Sequence, residues 1–274
     1  KNLNISNNPF KHEIYNELYS IEFFKSIVSE KAKPSPIKFL TADILNLFHI
    51  HSLIFPFSPT KYFDTKYRIP LIKEEILNLR PDILCLQEVD ETIFKDELNQ
   101  YFTSRNYTGI YFSKSDTSSG QATFIHNKSF VLIGSHTLEL RTHRLAPTLS
   151  NYDEIIRHSS CAVITLTKSS KYDVYIVIIN VTYTTEGKPM KSEQATFSSG
   201  DVSIEFVHSK NIFQYDIVIS GDFNSTIDQQ PLIFIQNNNI DRFFNSYDFL
   251  NQRPEFTRYD ILNFHAIDFI FSTV

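Results

Sequence analysis

The chain has 274 residues, with 26 Lys plus Arg against 31 Asp plus Glu, a formal net charge of -5, 42% hydrophobic and 21% charged residues. That is a globular balance, which excludes a disordered chain, and the length suits one large domain or two small ones. Two cysteines, Cys85 and Cys161, exclude a disulfide-dense scaffold and a zinc ribbon; net acidity argues against a nonspecific DNA coat but leaves room for a metal-dependent nuclease.

In chain order, residues 1–36 read as an N-terminal extension, with helical spacing through Ile14, Leu18, Ile21 and Phe24 and a proline linker at Pro34 and Pro36. A strand follows from Ile37 through Leu45. An aromatic, proline-punctuated loop runs from His49 to Pro59. Ile69, Ile72, Ile76 and Leu79 carry helical spacing over 67–79, and Ile83–Leu86 reads as a buried strand. A short helix is predicted over 94–102, then strands near 109–112, 122–126 and 130–135. Beyond a loop at 141–151 come strands at 162–167 and 174–183, and a helix over 191–208 that Ser198, Ser199 and Gly200 weaken. The remaining elements are a strand at 216–220, a helix at 231–237 and a strand at 266–271. Strands alternating with helices and with other strands predict an α/β (α+β) sandwich of two sheets with outer helices. No apolar run reaches the ~20 residues of a membrane span. Without a GxGxxG or Walker A loop, a nucleotide cofactor has no support.

Three segments carry chemistry. Glu88 directly follows an apolar strand, which places a carboxylate at the rim of a sheet where ligands bind. Asp222 and Asn224 stand two apart after Gly221, a spacing that faces both side chains one way in extended backbone. An acid and an amide together suit a hard cation or a water to be activated. Asp268 interrupts the last apolar strand. Each also admits a structural reading: Glu88 and Asp90 as strand-end acids, Asp222 and Asn224 as an Asx-type turn, Asp268 as a buried acid paired with an arginine. Arg141 and Arg144 read either as a solvated loop or as a phosphate contact on an RNA-binding rim.

In combination these segments resemble the endonuclease/exonuclease/phosphatase superfamily, and within it the deadenylase branch that includes the carbon-catabolite-repression deadenylases and the mitochondrial 2′,5′-phosphodiesterase. The marks are Thr41-Ala42-Asp43-Ile44-Leu45, Phe55 to Pro59, Tyr67-Arg68, the run from Asp82 through Gln87, Glu88 and Asp90, Gly120 to Phe124, Gly221-Asp222-Phe223-Asn224-Ser225, Phe256 to Tyr259, and Ile267 to Phe271. They span residues 37–272, so the family domain is expected over 37–274. Arg157 to Ser160 looks most like the mitochondrial phosphodiesterase.

The resemblance implies a Mg2+-dependent 3′–5′ exoribonuclease whose cleft lies between two sheets. It assigns Glu88, with Asp43, to the metal, and Asp222, Asn224 and Asp268 to the catalytic set. This chain departs from the family pattern. Asp43 stands where members carry Asn, and Thr182 stands where the Asn-Thr-His-Leu motif carries histidine. The final Ser-Asp-His strand is expected to be missing, because the sequence stops at Val274 soon after Asp268. The expectation is a catalytically impaired, nuclease-like protein with Mg2+ or no cofactor. It would be kept as a structural or RNA-associated component of a large ribonucleoprotein, mitochondrial or otherwise cytoplasmic. The alternative is an active deadenylase or 2′,5′-phosphodiesterase.

Overall fold

Short apolar strands, the central ones buried on both faces, build two mixed sheets packed face to face. The computed structural model describes residues 19–23, 36–44, 58–113, 119–140, 160–183, 206–236, 243–250, 257–259 and 264–273. The first sheet holds β1 (Tyr19–Phe23), β2 (Ile37–Asp43), β3 (Ile83–Asp90), β4 (Tyr107–Ser113) and β5 (Ser119–His126) in the order β1-β2-β3-β5-β4. Chain order then gives β6 (Phe130–Leu140), β7 (Ser160–Ser169), β8 (Tyr175–Thr182), β9 (Asp216–Asp222) and β10 (Phe244–Asn245). A small ribbon of β11 (Arg258–Tyr259) and β12 (Phe264–His265) precedes β13 (Asp268–Ser272). The second sheet runs β10-β13-β9-β8-β7-β6. Each sheet has a single parallel pair among the described residues, β2 with β3 and β8 with β9; the other pairs are antiparallel.

Helices cover the outer faces. Helix α1 (Thr65–Leu79) is capped by the Asp64 carboxylate, which accepts from the Lys66 N–H at 2.9 Å, and it ends on Arg80 in the left-handed conformation. Its Ile69, Ile72 and Ile76 pack with Leu40, Leu84 and Leu86 on the outside of the first sheet. A second helical run, α2, consists of Glu91–Ile93, a π-helical turn Phe94–Leu98, and Asn99–Thr103. Helices α3 (Gln230–Gln236) and α4 (Ser246–Leu250) lie over the second sheet, where Leu232, Ile235 and Tyr247 join Val177, Ile179 and Phe271 in one cluster.

The inner face, between the sheets, is apolar at one end. Phe39, Ile83, Ile125, Ile176, Ile178, Val218 and Ile270 form a single buried cluster drawn from both sheets. Further along the same strands, each inward position becomes polar: Thr41, Gln87, Gln121, Thr123, Asn180, Ser220, Asp222 and Asp268 are all buried.

The expected two-sheet sandwich is the observed fold, and most of the expected strands lie within the observed ones. The helical spacing through Ile14, Leu18, Ile21 and Phe24 misleads. Tyr19–Phe23 is a strand, paired antiparallel with β2 from Tyr19↔Thr41 to Phe23↔Ile37. Pairing with a sheet edge outweighs local helical spacing there. Of the helix expected over 191–208, residues 206–208 are described and are helical. The expected extension at 1–36 falls outside the described residues apart from that strand and Pro36, as does most of the loop at 49–59.

Candidate functional site

The polar half of the inner face is assembled by strand register. On β2 and β3, Asp43 is level with Gln87, the residue before Glu88. On the second sheet, Asp222 is the partner of Thr182 on one side and of Asp268 on the other. Asp222 is 2% exposed and Asp268 5%, while Asp43, Glu88, Thr182 and Asn224 are half-buried.

Two side-chain bridges bring these groups of strands together across the sheets. Gln87 Nε2 donates to Asn180 Oδ1 at 2.7 Å and to Thr41 Oγ1 at 3.0 Å. Asn180 Nδ2 in turn donates to the carbonyls of Ala122 at 3.0 Å and Leu86 at 3.1 Å. One residue pair further along β8, Gln121 Nε2 donates to Thr182 Oγ1 at 2.8 Å. The sheets are therefore stitched directly beneath the candidate site. Cys85 sits where the apolar half gives way to the polar half. Burial pushes its thiol up to about 12, against the lowering effect of the Ser220 and Thr123 hydroxyls, so it stays a protonated, unreactive group.

Glu88 is presented by an irregularity. The β3–β5 register shifts between Leu86 and Val89, and Glu88 takes φ 53, a left-handed conformation unusual for a residue with a side chain. Tyr111 fixes the chain just beyond it by donating from its hydroxyl to the Val89 carbonyl at 2.9 Å. Asp222 depends on Gly221, whose φ is 148 and where a Cβ would lie 1.8 Å from the Val181 carbonyl oxygen. Only glycine lets β8 and β9 approach so closely just before the acid.

Asp222 and Asn224 do meet, but not for the reason their spacing suggests. Strand β9 ends at Asp222, and Asn224 has φ 46. The Asn224 N–H donates to Asp222 Oδ1 at 2.7 Å and its Nδ2 to Asp222 Oδ2 at 3.0 Å, so the Asx-type turn is present. Asn224 Nδ2 also donates to the Tyr183 carbonyl at 2.8 Å. Asp268 is held through its backbone: its N–H donates to Thr257 Oγ1 at 3.1 Å and its carbonyl accepts from the Tyr247 hydroxyl at 3.1 Å. Arg141 and Arg144 lie outside the described residues.

Among the described residues, no three His, Cys, Asp or Glu side chains come together as a metal-binding group. Glu88 and Asp43, half-buried on neighbouring strands, are hard oxygen donors of the kind Mg2+ takes one or two at a time, with water and phosphate completing its shell. The donor set therefore fits that ion without a dedicated cage. No helix among the described residues is long and apolar enough to cross a membrane.

Sequence reading missed Gln87, Asn180 and Gln121 as parts of the site. A usable signal was there: Thr41/Asp43, Gln121/Thr123, Asn180/Thr182 and Ser220/Asp222 each put polar residues two apart at the end of an apolar strand, on one face.

No protein-family profile matches the chain. The CCR4-Not complex 3′-5′-exoribonuclease subunit Ccr4 of Candida albicans is 26% identical over 200 residues, covering 64% of this chain and 25% of the relative. The 2′,5′-phosphodiesterase 12 of Bos taurus is 22% identical over 209 residues, covering 69% of this chain and 33% of the relative. The Schizosaccharomyces pombe Ccr4 subunit is 21% identical over 260 residues, covering 81% and 37%. The chain thus spans between a quarter and little more than a third of the length of these curated relatives. Among solved structures, ANGEL2, a 2′,3′-cyclic phosphatase, superposes with a TM-score of 0.72 at 18% identity, covering 86% of this chain and 82% of that one. The human Nocturnin catalytic domain gives 0.60 at 21% identity, covering 77% and 76%. An endonuclease/exonuclease/phosphatase from Bacteroides vulgatus gives 0.61 at 18% identity, covering 86% and 87%. The chain is thus related to the Ccr4 exoribonucleases and the 2′,5′-phosphodiesterases and carries the endonuclease/exonuclease/phosphatase fold, as its sequence marks imply.

Proposed function

We propose that this chain holds RNA phosphodiesters in the polar cleft between its sheets but hydrolyses them slowly. On this reading it serves as a structural or RNA-associated component of a ribonucleoprotein. The observation that carries the proposal is Thr182. It is level with Asp222 and its hydroxyl accepts from Gln121 at 2.8 Å, at the position where the family motif carries histidine. A threonine hydroxyl is never a cation, so it offers no imidazolium to the charge that develops on a phosphate during in-line attack. One positioned donor of that kind is worth ~10²–10³ in rate, and general acid–base transfer ~10²–10⁴. Asp43 adds to the deficit, because a carboxylate repels the phosphate that an amide at the same position would bind.

The remaining residues keep recognisable duties. Glu88, with Asp43, would hold Mg2+. That ion, when bound, supplies Lewis-acid polarisation of a phosphate oxygen. Asp222, whose two oxygens accept from Asn224, would accept a proton from a water. Asp268, its register neighbour, adds negative charge that favours a nearby cation. Retention of Glu88, Asp222, Asn224 and Asp268 supports a second reading, a slow but genuine metal-dependent exoribonuclease of the deadenylase or 2′,5′-phosphodiesterase type. A mitochondrial location is part of the proposal and is supported only by the likeness of Arg157 to Ser160; organelle fractionation tests it.

The test of activity is degradation of labelled oligoadenylate, 3′,5′- and 2′,5′-linked, with Mg2+ or Mn2+. The unaltered chain is expected to match a Glu88→Ala control near background, and Thr182→His to gain metal-dependent activity of ~10²-fold. Rapid degradation by the unaltered chain that disappears in Glu88→Ala would establish the active reading instead.

A further inference from the structure

Gln121 is a costly residue for the place it occupies. It is 3% exposed, and its Oε1 is buried with no hydrogen-bond partner. A leucine there would avoid stranding that oxygen. Its backbone has little freedom to relieve the problem: at the preceding Gly120 a Cβ would lie 2.1 Å from the Phe112 carbonyl oxygen, so β5 is pressed against β4. The amide's bonded end instead reaches across to the other sheet, where Nε2 donates to Thr182 Oγ1 at 2.8 Å and lies 3.6 Å from Cys161 Sγ.

That bond has a directional consequence. A hydroxyl carries one proton and two acceptor lone pairs. With a lone pair of Thr182 Oγ1 committed to Gln121, the proton remains for another acceptor. Thr182 is half-buried, on the inward side of β8, level with Asp222. A phosphodiester oxygen entering the cleft is an acceptor that this proton can serve.

We propose that Gln121 is a positioning residue that sets the Thr182 hydroxyl as an uncharged hydrogen-bond donor to a phosphodiester oxygen. The inference rests on the reading that the cleft binds phosphodiesters, and it specifies how. Recognition at this point uses a neutral pair, Gln121 and Thr182, so it does not titrate near neutral pH as an imidazole would. The stranded Oε1 is then the structural cost of aiming the other end of the amide.

The test is a double-mutant cycle read by binding, using a fluorescent phosphorothioate oligoadenylate that resists hydrolysis, with Mg2+ present. Gln121→Leu and Thr182→Val are each expected to weaken binding about fivefold, the worth of one ordinary hydrogen bond. Gln121→Leu is expected to add nothing in the Thr182→Val background. Gln121→Leu should also melt no lower than the unaltered chain, which separates loss of aim from loss of fold. Affinity of the unaltered chain should be flat from about pH 5.5 to 8, whereas that of Thr182→His should fall as the imidazole deprotonates near its ordinary value of about 6.5. Unchanged binding by Gln121→Leu, or independent losses that multiply in the double variant, overturns the inference and leaves the proposed function standing. No binding by the unaltered chain overturns both.

Discussion

The two halves of the inter-sheet face are made by the same strands and held by different physics. At one end, Ile83, Ile125, Ile178, Val218 and Ile270 share a cluster in which no contact is directional. Burying a side chain of this size contributes about 1.5–3 kcal/mol wherever it finds apolar neighbours. At the other end, Gln87 and Asn180 satisfy each other and two strand carbonyls across the sheets, and each bond requires one geometry. The apolar half makes the sandwich stable. The polar half fixes how the sheets sit relative to one another beneath Glu88 and Asp222. A site built on the second kind of contact is well placed but intolerant of change.

The largest expected effect is therefore at the polar end. Asn180→Ala strands the Gln87 amide and opens a small void, and is expected to cost about 3–4 kcal/mol, from ~1–3 kcal/mol for each buried group left unsatisfied. The check is the urea midpoint at unchanged slope. Replacing both partners, Gln87→Leu with Asn180→Leu, should cost clearly less than the sum of the single changes, since no polar group is then orphaned. Additive losses would show that the bridge is not a unit. At the apolar end, Ile178→Val should cost only about 1 kcal/mol. A loss as large as that of Asn180→Ala would erase the contrast between the halves.

A smaller effect concerns the rim of the apolar half. Burial lowers the pKa of His126 below 6.5, opposed by Asp82 and reinforced by Lys128. In this direction the unfolded chain binds the proton more readily. The contribution of His126 to stability is thus fully present above about pH 6.5 and declines as pH falls through that value. Removing the imidazole in His126→Gln should flatten the slope of stability between about pH 5 and 7. An unchanged slope would assign the acid sensitivity to the carboxylates of the polar half.

What the sequence made legible follows the same division. Strands β8 and β9 were readable as unbroken apolar runs, Ile176–Ile179 and Ile217–Ile219, because both faces of their sheet are buried. Motif residues such as Glu88, Asp222 and Asp268 stood out because each breaks an apolar run. The partnership of Gln87 with Asn180, 93 residues apart, left no local trace. The two-residue strands β10, β11 and β12 are too short to show a period. At Tyr19–Phe23, local spacing favoured a helix, and only the neighbouring β2 edge explains the strand.

Glu88 carries one more consequence. Of the non-glycine residues with positive φ among those described, Asn106, Asn211 and Asn224 are of the type that tolerates it, and Arg80 closes a helix. Glu88 has neither justification, and backbone of this kind holds of order 1 kcal/mol of strain or more. Glu88→Gly would relieve the strain while paying glycine's larger chain entropy, for a net change within about 0.5 kcal/mol of zero. Glu88→Asn keeps a side chain suited to the conformation and should come out ahead of both. A laboratory selection for heat resistance, blind to activity, would accordingly discard this carboxylate early and keep the sandwich around it. Thermostable descendants of the chain would look intact by fold and carry no carboxylate at position 88.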